Sequence, residues 1–255
     1  MKYCIANWKM NFTTSESINF IKNFSSFEKF SSNTKVIFSP SFISLKPALD
    51  LISDNKVLNQ LKNKNMLDVG AQDISSIDKG AYTGDVSAAI LNDINCNYVI
   101  IGHSERRTIH NETNDSINKK LKLSTKHNLC SILCIGENDI NRKKNKTFDA
   151  LHKQLKTSLN NINLKQLIIA YEPVWAIGTG NTASKEIIEE TFMIIKKILK
   201  SIGVKLKIPI IYGGSVNEKN IKELSNIIDI DGFLIGGASL SLNSFRYIYN
   251  TMGEK

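Results

Sequence analysis

The chain has 255 residues, 42% of them hydrophobic and 22% charged, with a formal charge of +9 and a pI near 9.3. Such a composition can bury a substantial core and excludes disordered and fibrous classes. No apolar stretch approaches the roughly 18 to 20 residues of a membrane span, and the lysines are spread among asparagines rather than interleaved with aromatics, so no membrane or nucleic-acid partner is expected.

Met1-Lys2 leads at once into a first apolar run, Tyr3 to Ala6, without a signal or transit segment, which points to a cytoplasmic protein. That run reads as a strand and opens into Asn7-Trp8-Lys9-Met10-Asn11. Thr13 and Glu16 form a capping box for a helix whose apolar face is Ile21, Phe24 and Phe27. Val36 to Phe38 is a second strand, followed by helical spacing at Leu45 and Leu49, and Met66 to Ala71 is a third. Tyr98 to Ile101 precedes Gly102-His103-Ser104-Glu105-Arg106-Arg107 and a helix bearing Ile117 and Leu121. After the fifth strand, Ile132 to Ile135, the cluster Arg142-Lys143-Lys144-Asn145-Lys146 reads as a solvated loop, and Phe148, Leu151, Leu155 and Leu159 mark the next helix face. Leu167 to Tyr171 runs into Glu172-Pro173 and the apolar stretch Val174 to Gly180, before helical spacing at Ile188, Phe192, Ile195 and Leu199. Ile208 to Tyr212 and Gly232 to Ile235 are the last strands, ending in Gly213-Gly214 and Gly236-Gly237; Phe245, Ile248, Tyr249 and Met252 complete the pattern.

Eight strand–helix units in about 250 residues are the usual size of an α/β protein built as a (β/α)8 barrel. A doubly wound sheet would want a GxGxxG turn after its first strand, and Asn7 to Asn11 contains no glycine. No linker divides the chain, so residues 1–255 are expected to form a single domain. Cys4, Cys96, Cys130 and Cys134 show neither a Cys-x-x-Cys pair nor a set of nearby His at metal-ligand spacing, and read as buried free thiols rather than metal ligands.

In such a barrel the loops after the strands' carboxyl ends converge, bringing one Lys, one His, one Glu and two glycine pairs together. Glu172 leaves a strand under a stretch with the composition of a lid; in a dry pocket its carboxylate becomes a stronger base. An isolated Glu at a strand end is commonly a surface ion pair, and the lid sequence reverses that preference. His103 opens a helix, whose N–H groups disfavour the imidazolium and leave a neutral ring able to donate a hydrogen bond to an oxyanion. His110, His127 and His152 lack that context and read as structural. Asn7 and Lys9 can offer an amide and an ammonium to a phosphate or enediolate, and the late glycines expose N–H groups suited to phosphate. The combination suits proton abstraction beside the carbonyl of a small phosphorylated substrate.

These motifs, with Gly70-Ala71-Gln72, Gly80-Ala81-Tyr82-Thr83-Gly84 and Cys134-Ile135-Gly136-Glu137, closely resemble those of the triosephosphate isomerases over nearly the whole chain. The resemblance implies interconversion of dihydroxyacetone phosphate and glyceraldehyde 3-phosphate without a cofactor. It implies Glu172 as the proton shuttle, His103 as the group that polarises the carbonyl, Lys9 as a charge stabiliser, Asn7 as a hydrogen-bond donor and Glu105 as support for Lys9. Gly178, Ser215, Gly236 and Gly237 would hold the phosphate, a lid from Pro173 to Ala183 would exclude water, and the Gly80 to Gly84 loop would reach into the partner of a homodimer. Asp85 replaces a usual Glu that reaches the partner's arginine, His110-Asn111 a usual Phe-Gly, and Lys185 a frequent Pro; the connection Ser44 to Asn65 is longer than usual. Another phosphate-binding barrel isomerase, or a non-catalytic scaffold on the same fold, need not keep Lys9, His103 and Glu172 together; all three are present.

Overall fold

The computed structural model describes residues 1–26, 30–176 and 182–253. Eight strands, β1 (Lys2–Asn7), β2 (Thr34–Ser39), β3 (Leu67–Ala71), β4 (Tyr98–Ile101), β5 (Cys130–Ile135), β6 (Leu167–Tyr171), β7 (Ile210–Tyr212) and β8 (Gly232–Ile235), pair in parallel and in sequence order. β1 closes on β8 through registers such as Ile5 with Leu234, which makes the sheet a barrel. Around it run α1 (Thr14–Ser25), α2 (Phe42–Asp54), α3 (Lys56–Asn63), α4 (Ala88–Asp93), α5 (Ser104–Thr108), α6 (Asn114–Lys126), α7 (Asp139–Lys143), α8 (Thr147–Ser158), α9 (Lys185–Ser201), α10 (Ile221–Leu224) and α11 (Leu242–Gly253). This is the single-domain (β/α)8 architecture expected from the alternation. None of the described helices is long and apolar enough to cross a membrane.

The strands read as unbroken apolar runs because both of their faces are covered. Alternate residues Ile5, Ile37, Ile100, Ile132, Ile168, Ile211 and Leu234 fill the barrel interior. Their neighbours, among them Ala6, Val36, Phe38, Val99, Leu133 and Ile169, face the helices in the larger core. The predicted capping box is present: the Thr13 hydroxyl accepts from the Glu16 N–H, and the Glu16 carboxylate accepts from the Thr13 N–H at 2.7 Å.

Several expectations are corrected. β7 begins at Ile210 rather than Ile208: Pro209 lacks an N–H to pair, and the Ile210 N–H is taken by the Asp231 carboxylate at 2.9 Å. The connection Ser44 to Asn65 holds most of α2 and all of α3, separated by Asn55, whose side chain caps α3. Phe148 is 37% exposed, stacked on His152 beneath Lys197 rather than packed in the core. The basic cluster is not simply solvated: Arg142 and Lys143 end α7, and Arg142 pairs with Glu190 at 2.9 Å. Phe27 lies outside the described residues. All four cysteines are free; Cys130 is half-buried and the others are buried.

Candidate active site

Asn7 is the last residue of β1, and two residues on the backbone turns left-handed at Lys9, with φ 52. A lysine in that region is strained and persists only when its surroundings hold it. Gln72, at the end of β3, donates both to the Lys9 carbonyl and to that of Ser39 at 2.8 Å, while the Lys9 N–H donates to the Asn7 amide oxygen at 3.2 Å. Trp8, fully buried against Phe12, Phe20 and Phe38, donates its indole N–H to the Ser239 carbonyl at 3.2 Å. The Lys9 loop is thereby tied to the 3-10 turn Gly237–Leu240 after β8. With its backbone fixed, Lys9 extends its ammonium to the Glu105 carboxylate, 2.6 Å away.

His103 caps α5, accepting the Glu105 N–H on Nδ1 at 3.3 Å. An accepting Nδ1 assigns the proton of a neutral ring to Nε2, which stands 2.9 Å from Glu172 Oε1. Arg107 braces this turn from beneath, donating to the carbonyls of Gly102 at 2.7 Å and Cys134 at 2.9 Å. The other carboxylate oxygen of Glu172, Oε2, accepts the Ser104 N–H at 2.9 Å. Oε1 has no aligned donor among the described residues, although the carboxylate is only 2% exposed. Burial pulls the imidazole pKa down, but the charge and proximity of Glu172, then of Glu105, outweigh it, so His103 sits above its ordinary value. The helix N–H groups alone predict a lowered value; the neighbouring carboxylate, invisible until β4 and β6 are placed, reverses the direction.

Close backbone approach sets the place of Glu172. A Cβ on Gly136 would stand 1.7 Å from the Glu172 carbonyl oxygen, and one on Gly213 3.1 Å from its Cγ. Asn7, Lys9, His103, Glu105, Glu172, Ser215, Gly236 and Gly237 all line one cavity of about 720 Å³ at the carboxyl ends of the strands. Gly178 lies outside the described residues, as does the middle of the expected lid. No group of three or more His, Cys, Asp or Glu side chains that could hold a metal ion occurs among the described residues.

Three features were not singled out in the sequence. Ser104 contributes a backbone donor, which carries no side-chain signal. Gln72 was visible only as part of a motif, without a role. Glu137, fully buried at the end of β5, accepts from the Trp175 indole at 2.9 Å and the Tyr171 hydroxyl at 3.1 Å, seating the start of the expected lid. Burial raises its pKa, against the hydrogen bonds from Trp175 and Tyr171.

The triosephosphate isomerase family model matches residues 2–252. The chain is 43% identical over 250 residues to the triosephosphate isomerase of Dictyoglomus turgidum and 41% identical over 250 residues to that of Clostridium botulinum (strain Loch Maree), covering 96% of both chains in each case. It is 39% identical over 241 residues to that of Mesomycoplasma hyorhinis, covering 94% of both. Because these likenesses run from the first strand to the last helix, far beyond the motif segments, the chain belongs to the triosephosphate isomerase family.

Proposed function

We propose a division of labour at this site for the reaction of the family. The protein interconverts dihydroxyacetone phosphate and glyceraldehyde 3-phosphate. Glu172 is the base, His103 the electrophile. The observation that carries this reading is the unequal carboxylate of Glu172: a buried oxygen with no aligned donor, adjoining an imidazole whose Nε2 carries the proton. On binding, Glu172 releases the His103 contact and takes a proton from the carbon beside the substrate carbonyl. The freed Nε2–H donates to the carbonyl oxygen as it becomes an enediolate oxygen; His103 gives that oxygen its proton and takes the one on the neighbouring hydroxyl oxygen, while Glu172 returns its proton to the former carbonyl carbon, which completes the exchange.

Lys9 stabilises the developing negative charge, Asn7 donates a hydrogen bond to the substrate, and Glu105 keeps the ammonium in the cavity. Backbone N–H groups of Gly178, Ser215, Gly236 and Gly237 hold the phosphate. The segment Pro173 to Ala183 closes over the enediolate and keeps out water, which favours loss of phosphate. The working unit is a cytoplasmic homodimer joined through the Gly80 to Gly84 loop. Its support is the exposed apolar side chains that follow the first four strands: Met10 at 98% exposure, Ile43 at 81%, Tyr82 at 52% and Ile109 at 68%.

The test is a coupled assay with glyceraldehyde 3-phosphate on Glu172→Gln. The amide keeps the shape and loses the base; near-normal turnover would reject the assignment.

A further inference from the structure

The lysines are spread along the chain, but their excess over the acids is localised, against the expectation drawn from lysine spacing alone. Residues 114–207 hold 17 Lys and Arg against 8 Asp and Glu, whereas the rest of the chain is balanced at 16 of each, so the whole +9 belongs to one stretch. That stretch is a connected part of the wall, α6 to α9 with β5 and β6. Within it the acids sit toward the cavity end: Asp115, Asp149 and Glu186 in the first turns of α6, α8 and α9, and Asp139 in α7. At that end Arg142, Lys143, Lys144, Lys146 and Lys185 stand among these acids, whereas at the opposite end, the base of the barrel, the stretch contributes lysines and no acids. Lys156 and Lys200 lie in the last turns of α8 and α9, Lys165 immediately before β6, and Lys205 and Lys207 before β7; all five are exposed. None of the five makes an ion pair among the described residues.

Three readings compete. Cations in the last turn of a helix complement its dipole, but Lys165, Lys205 and Lys207 lie outside the α-helices. Steering of an anionic substrate calls for charge around the cavity mouth, and these lysines are at the other end. A docking face remains. Its neighbourhood is aliphatic: Leu206, between Lys205 and Lys207, is 52% exposed, and Ile228, in the connection before β8, is 71% exposed. Leu206, Lys196, Lys200 and Lys207 border one shallow depression with Asp229 and Asp231. Lys196 pairs with Asp229, which the charge of Lys207 also faces, and Asp231 accepts the Ile210 N–H, so both acids are engaged and Lys200 is left as the uncommitted cation of the depression. The exposed aromatics Phe42, Tyr82, Phe148 and Tyr247 lie outside these connections, which leaves no stacking platform for bases.

We propose that the base of the barrel, from Lys156 and Lys165 to Lys200, Lys205 and Lys207, is a docking face for an anionic lipid surface, with Leu206 and Ile228 entering the headgroup layer. Loops at one end of a barrel can meet a flat surface together, and lysine supplies charge without demanding a shaped phosphate partner. In this orientation the active cavity opens away from the lipid. No membrane span is needed.

The test is co-sedimentation of the whole protein with vesicles of phosphatidylcholine alone and of phosphatidylcholine with about one-third phosphatidylserine, at low and high salt. Binding should require phosphatidylserine and disappear at high salt. The variant Lys200→Glu with Lys205→Glu and Lys207→Glu should bind at least about tenfold more weakly at unchanged isomerase activity, since each lysine at an anionic surface is worth roughly a fivefold change in partitioning. Leu206→Ser should weaken what binding remains at intermediate salt. If the reversal variant is inactive, Lys205→Gln with Lys207→Gln takes its place, with a smaller loss expected in the same direction. No binding to anionic vesicles at low salt, or equal binding by wild type and variant, would overturn the proposal. Tighter binding to a single-stranded oligonucleotide than to vesicles, lost in the same variant, would assign the face to nucleic acid instead and also overturn it.

Discussion

The two oxygens of Glu172 are treated unequally: Ser104 holds one by its N–H, and His103 stands beside the other without an aligned bond. A carboxylate so placed is secured yet able to turn. Glu172→Gln should therefore lower kcat by about 10²- to 10⁴-fold with little change in thermal midpoint, and His103→Gln should cost less because its amide can still donate. A steady-state assay and a melting curve on each variant check this. The same pair fixes a pH effect. Glu172 lifts the His103 pKa above its ordinary 6.5, so the folded state binds this proton more tightly than the unfolded chain. The resulting stabilisation is complete at pH well below 6.5 and is lost as pH rises through the higher folded value. In Glu172→Gln, with the burial contribution left larger, the imidazole should titrate at lower pH than in wild type; an NMR titration of the ring proton on carbon would show it. The sequence indicated both residues through their motifs. It could not indicate their contact, because β4 and β6 become neighbours of the cavity only when the barrel closes.

At the scale of elements, glycines that look alike in the sequence do different work. Gly136→Ala sets a methyl against the Glu172 backbone and should destabilise by about 1–3 kcal/mol or more while displacing the base. Gly237→Ala meets nothing within 4 Å, so it should keep the melting temperature and raise KM for the phosphorylated substrate; calorimetry and kinetics on the pair separate the cases. Barrel strands conceal another distinction. Lys35 shares its inward face with Ile37 and is 3% exposed, bound to Asn65 at 2.6 Å, Tyr98 at 2.8 Å and Asp68 at 3.3 Å. Burial lowers its pKa, against the pull of Asp68. Lys35→Met should cost about 3–5 kcal/mol by stranding Asp68, and adding Asp68→Asn should restore much of that, as denaturant titration would measure. The strands were legible because apolar runs covered on both faces leave a continuous signal. Helices α3, α4, α7 and α10, each of eight residues or fewer, were not, since so few turns hold too little periodicity to separate from a loop, whereas α5, equally short, was indicated by His103 at its start. Phe148 fitted the spacing of α8 but lies in its first turn, outside the packed stripe.

For the whole molecule, the loop expected to join two subunits is already held by its own chain. Asp85 accepts from the Ser75 hydroxyl at 2.7 Å, while Arg106 is engaged by Glu112 at 2.8 Å and Asp73 at 3.0 Å. A side chain one methylene short, with a partner at home, has little reach toward a neighbouring arginine. In the proposed dimer, Asp85→Glu should move the dilution midpoint of both sedimentation and activity to lower concentration without altering saturated turnover, by something on the order of 1 kcal/mol. An unchanged or higher midpoint would count against that contact.

The bond from the Trp8 indole to the Ser239 carbonyl sets an order in time as well as in space. β1 leaves the ribosome first, yet one of its two neighbours is β8, and the anchor of the Lys9 loop follows β8. Nothing made earlier can supply either contact. A nascent chain can gather its first strands and the Gln72 bond to the Lys9 carbonyl, but the Lys9 loop gains its last anchor only after the eighth strand and the turn behind it have emerged. Arrested chains displayed with a spacer long enough to free that turn should isomerise substrate, and chains held a few residues shorter should not, so the onset of activity during synthesis would be a step rather than a slope.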